Sequence, residues 1–153
     1  MDRSVESIMA EHGFTFTFTG NETENKKHGL GGLKDGAPTA DSPLPPDSIW
    51  GWNVGDEPGL AQFPAFAEKF DAIRRYAPAK IGFANMLETY CPPLSLSANP
   101  TPPNSTVNWT LTYEDYVERF VTEVRPSFLC MDYYRAYRLS PPREILHWQL
   151  QPR

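Results

Sequence analysis

Two hydrophobic rhythms alternate along this chain. Residues 14–19 read Phe-Thr-Phe-Thr-Phe-Thr, a period of two in β-favouring side chains that Gly20-Asn21 breaks. Before it, Val5, Ile8 and Met9 stand at helical spacing and His12-Gly13 follows as a stop, so residues 2–12 are predicted as the end of a helix. Residues 49–54 are a second predicted strand. Beyond them Phe63, Phe66, Ala67, Phe70, Ile73 and Ala77 form a helical stripe, in which Pro64 fits only a first turn. Residues 80–85 predict a third strand and residues 127–131 a fourth. Between these two, Tyr113, Tyr116, Val117, Phe120 and Val124 mark a helix that Thr112 and Asp115 open as a capping box and Arg125-Pro126 ends.

The intervening stretches carry no period. Residues 20–48 hold Gly29, Gly31, Gly32, Gly36, Pro38, Pro43, Pro45 and Pro46 and are predicted as one long loop, and residues 91–111 as a second, ending near Trp109. Pro43-Leu44-Pro45-Pro46 fits a polyproline ligand pattern, but beside a long Gly/Pro loop an ordinary surface bend is the better reading. Strands separated by amphipathic helices imply right-handed crossovers and a parallel sheet. The fold class is therefore α/β, a partial (β/α)8 TIM-barrel-like fragment over residues 1–134 with residues 135–153 as an unassigned tail. The chain has 153 residues, whereas a closed eight-fold barrel usually takes roughly 250.

Charge and composition narrow the function classes. A net charge of −5 provides no basic surface for phosphate backbones, so no nucleic acid is expected as a partner. Every apolar run is interrupted well before the ~20 residues a bilayer helix needs, so no membrane partner is expected either. Met1-Asp2-Arg3 leads into no signal-peptide core, while the sequons at Asn21, Asn104 and Asn108 faintly favour a secreted parent; the compartment stays open. Cys91 and Cys130 read as free thiols, and His12, His28 and His147 have no ligand spacing, so neither a metal nor a cofactor is expected.

Chemistry enters through the second strand. Alternation places Gly51, Asn53, Gly55 and Glu57 on one side and Trp50, Trp52 and Val54 on the other. If the apolar side packs on outer helices, the small side faces the barrel axis and Glu57 lies at the C-terminal mouth, where barrel enzymes place catalysis. The plain alternatives are that Glu57 starts a helix, that Trp50 and Trp52 are ordinary core and that Asp132 caps a turn.

The run Trp50-Gly51-Trp52-Asn53-Val54-Gly55-Asp56-Glu57-Pro58 resembles the fourth-strand motif of the clan A glycoside hydrolases, the retaining two-glutamate group. Phe63 to Tyr76, Ile81 to Tyr90 and Tyr113 to Tyr134 then resemble the following helix, strand, helix and strand of its β-galactosidase-like members. The resemblance implies that Glu57 is the acid/base, with Asp56 standing where that family more usually has the Asn that contacts the sugar 2-hydroxyl. Asn85, Tyr90, Asp132 and Tyr133 fall at neighbouring strand ends and complete the expected substrate-binding set. Carboxylates, an amide and phenols suit a hydroxyl-rich carbohydrate partner.

A retaining enzyme also needs a nucleophilic carboxylate ~5 to 5.5 Å from the acid. The resemblance assigns it to a seventh strand, beyond residue 134, and Glu144 in Pro-Arg-Glu-Ile-Leu does not fit that place. The expectation is a parent that hydrolyses O-glycosidic bonds with retention, and a chain that by itself does not turn over. A non-catalytic carbohydrate-binding pseudoenzyme and an interaction module using the Pro-rich loops are the rivals. Self-association through the exposed edges at residues 14–19 and 128–131 is expected of an incomplete barrel.

Overall fold

The computed structural model describes residues 4–17, 21–97 and 110–132. Five strands lie side by side in sequence order, β1 (Phe16–Thr17), β2 (Gly31–Asp35), β3 (Ile49–Asp56), β4 (Ile81–Met86) and β5 (Cys130–Met131), and each neighbouring pair is parallel. The sheet curls into a half-barrel, as the alternation of strands and helices requires of a partial (β/α)8 unit.

Five strands replace the four that the sequence predicts, because residues 20–48 are not one loop. They contain α2 (Glu22–His28) and β2. The helix has no apolar stripe and buries only Asn25; its ends define it instead. The Asn21 side chain accepts the Glu24 N–H at 3.2 Å, Glu22 and Glu24 lie in the first turn, Lys26, Lys27 and His28 in the last, and Gly29 closes it at φ 69°. The strand begins Gly-Gly and so shows no alternation. Gly31 is nevertheless dictated by packing, since a Cβ there would run into the Trp50 indole. Trp50 in turn stacks at 5.1 Å on Phe16 and stays 42% exposed, so it is not the core residue that its neighbour Trp52 is.

The other expected elements are present in shorter or shifted form. α1 (Val5–Glu11) is capped by Ser4, whose hydroxyl accepts the Ser7 N–H. α3 (Phe63–Tyr76) carries Pro64 in its first turn. Within the expected second loop, α4 (Pro93–Ser97) buries Leu96 and Ser97, while Trp109 lies outside the described residues. α5 (Tyr113–Arg119) has the Thr112–Asp115 capping box and runs into a π-helical turn over Phe120–Val124 that ends at Arg125 in the left-handed region. Tyr116, Phe120 and Val124 repeat every four residues, and the wider π turn keeps Val124 buried with the other two.

One core follows. Trp52 and Val54 of β3 and Ala84 and Met86 of β4 meet Phe63, Phe66, Phe70 and Ile73 of α3, and Tyr116, Phe120 and Val124 close over them. The Phe63 ring lies 5.3 Å from both Tyr116 and Phe120. Burying each such ring contributes about 1.5–3 kcal/mol. Both amphipathic helices thus lie on one face of the sheet.

Candidate active site

The C-terminal ends of β3, β4 and β5 converge because parallel strands in register finish at one edge. Asp56 pairs with Asn85, and Asn85 with Cys130. The residues that follow each strand, Glu57, Glu88 and Asp132, are therefore brought together, and oxygens of their three carboxylates lie within 4.8 Å of one another.

Simple alternation does not deliver Glu57 to this position. The β3–β4 register shifts between Asn53 and Gly55, leaving Val54 as the extra residue of a bulge. Gly55 then lies on the helix side, where a Cβ would stand 2.6 Å from the Phe66 ring. This corrects the expectation that Gly51, Asn53, Gly55 and Glu57 share a side. The Lys69 ammonium donates to the Val54 carbonyl at 2.9 Å, holding the bulge from α3.

Past the bulge, Asp56 accepts a hydrogen bond from the Asn85 Nδ2 at 3.1 Å. With the Asn85 amide nitrogen donating to Asp56, its Oδ1 faces the other way. That Oδ1 is buried without a hydrogen-bond partner among the described residues, and so is the Oδ1 of Asn53, whose Nδ2 donates to Asp35 at 3.1 Å. Glu57 has φ 45°, and its backbone N–H donates to the Asn85 carbonyl at 2.8 Å.

Partial burial, and after it the negative charges of Glu88, Asp56 and Asp132, raise the pKa of Glu57 above the ordinary carboxylate value. Glu88 accepts hydrogen bonds on both oxygens, from the Cys91 thiol at 3.0 Å and the Tyr90 hydroxyl at 3.4 Å. Burial, followed by its bond to Glu88, pushes the Cys91 thiol up to about 12, so it is a proton donor at neutral pH and not a thiolate nucleophile.

Of the sequence-predicted residues, Glu57, Asp56, Asn85 and Asp132 lie at one edge. Tyr90 is 47% exposed and reaches the group through Glu88. Tyr133 lies outside the described residues. Sequence reasoning missed Glu88: it follows β4 by two residues and belongs to no motif, so no sequence signal marked it. The three carboxylates form the one group among the described residues whose spacing could bracket a cation; equally, such spacing favours a proton held by Glu57. The chain matches no protein-family model, no curated protein and no solved structure.

Proposed function

We propose that this chain carries the acid/base side of a retaining glycoside hydrolase-like site, with Glu57 protonating the glycosidic oxygen and later taking a proton from water. The observation that supports this reading best is the setting of Glu57. It stands at the C-terminal edge of a curled parallel sheet, its carboxyl partly withdrawn from solvent and beside other carboxylates, which raises its affinity for the proton an acid must hold. Asn85 adds a buried acceptor for which a sugar hydroxyl is a suitable donor. The nucleophile, which the resemblance assigns to a seventh strand, is not assigned to any described residue, so no turnover is expected of the chain alone.

The test combines turnover with shift mapping. A panel of aryl β-galactosides and β-glucosides added to the 15N-labelled chain is expected to shift the amides of Glu57, Asn85 and Tyr90 without being hydrolysed. Shifts confined to other surfaces would contradict the carbohydrate reading. Hydrolysis that disappears in Glu57→Gln would keep the reading but place the second carboxylate within this chain.

A further inference from the structure

An acid must be fixed in place, yet Glu57 is held in the left-handed region at φ 45°, which a non-glycine residue keeps when its surroundings impose it. Several contacts hold the backbone beside it. Tyr116 of α5 is fully buried, and its hydroxyl donates to the carbonyl of Pro58, the residue after Glu57, at 2.7 Å. The same oxygen lies 3.5 Å from the Leu87 N–H, one residue before Glu88. One turn earlier on the helix, the Tyr113 hydroxyl donates to the Leu87 carbonyl at 2.8 Å. The ring of Tyr116 is itself clamped between Phe63 at 5.3 Å and Tyr113 at 5.7 Å.

We propose that Tyr116 is a positioning residue for Glu57: its buried hydroxyl ties the turn after β3 to the turn after β4 and so fixes the Glu57 carboxyl beside Glu88. The proposal rests on the acid/base reading of Glu57 and adds what holds that acid in place. Geometry gives the reason. Glu57 and Glu88 are each one residue from a backbone group that Tyr116 touches, so one hydroxyl sets the spacing of the two turns that carry them. Among the described residues, the titratable groups around Glu57 are Asp56 from β3, Glu88 and Cys91 from the turn after β4, Asp132 after β5, and Tyr116 itself from α5. None of these is a cation, so loosening the turns relaxes repulsion and hydrates the acid. Burial pushes the Tyr116 phenol up, which keeps it a hydrogen-bond donor over the whole range in which Glu57 titrates.

The test is the 13C titration of the Glu57 side-chain carboxyl in the full chain, with its signal assigned by loss in Glu57→Gln. Tyr116→Phe keeps the ring and removes the hydroxyl. The wild type is expected to titrate above the ordinary glutamate range, and the folded Tyr116→Phe variant to shift back toward it. A folded variant with an unchanged Glu57 midpoint overturns the proposal. A wild type that already titrates in the ordinary range defeats the acid/base reading instead. Tyr116 is then judged by the strong intraresidue amide-to-Hα cross-peak that a positive φ gives Glu57: its loss in Tyr116→Phe supports the positioning role and its persistence overturns it. If Tyr116→Phe does not fold, the wild-type hydroxyl proton decides, since a bond to Pro58 makes it slow to exchange and close to Pro58. Observing it supports the proposal, and its absence overturns it.

Discussion

The two ends of this sheet are held by different physics. From β3 to the π turn, long apolar side chains interlock: Phe63, Phe70, Tyr116 and Phe120 are each 2% exposed or less, and the helices define themselves by stripes. From α1 to β2 the helices bury little. α1 buries nothing, with Val5 65% and Ile8 42% exposed, and α2 buries one asparagine. There the structure depends on caps, on Leu30 and Leu33, and on the fit of Trp50 over Gly31. A helix can therefore be specified by its ends alone, but such a helix contributes little to the stability of the whole. The candidate acid sits in the first region, where rigid packing can hold it.

Phe63 separates the two regions most sharply. Phe63→Ala should cost about 3–5 kcal/mol, because the cavity opens between Tyr116 and Phe120 where neither ring can collapse, and urea unfolding should show it as a large fall in midpoint. A smaller loss, no greater than that of a cap, would mean that the two regions do not differ as described. Next, Asn21→Ala should cost about 1 kcal/mol. Native-state hydrogen exchange should rise over residues 22–30 and leave β3 and β4 unchanged; uniform acceleration across the sheet would show the N-terminal elements to be part of the same cooperative unit.

The smallest expected effect concerns charge. The folded protein raises the pKa of Glu57, so protonated Glu57 favours the fold below its unfolded value and that contribution is lost as pH rises through the folded value. Glu57→Gln should therefore be more stable than the wild type at neutral pH, with the difference closing as pH falls below the usual glutamate range. Thermal melts across that range check the sign; a variant less stable at neutral pH would mean that the Glu57 carboxylate is held by favourable contacts instead. The edges give a further expectation. Phe14 at one end, and Phe128, Leu129 and Met131 at the other, are exposed beside strands with one neighbour each among the described residues. Light scattering over a dilution series should show reversible association.

The difference between the regions also explains what the sequence made legible. Trp52, Val54 and the α3 stripe announce themselves because burial leaves a periodic apolar record. α2 and β2 leave none: one is written in Asn21 and Gly29, the other in Gly31, whose reason is a tryptophan nineteen positions on at Trp50. At the site, Glu57, Asp56 and Asn85 were readable from strand ends. The bulge at Val54 was not, because it depends on how β3 registers against β4, and Glu88 was not, because loop direction fixes where its carboxyl points. Among the described residues no helix is long and apolar enough to cross a membrane, in line with the interrupted apolar runs.

At the sheet edge, partial burial and, after it, the neighbouring carboxylates raise the affinity of Glu57 for a proton. A 13C titration of the Glu57 carboxyl in the wild type, in Glu88→Gln and in Asp132→Asn tests it most directly. The predicted result is a wild-type midpoint above the ordinary glutamate value of about 4.3, lowered in both variants and more by Glu88→Gln, the larger of the two charge effects. A wild-type midpoint at the ordinary value, unmoved by either substitution, would mean that the sheet edge does not hold a proton on Glu57.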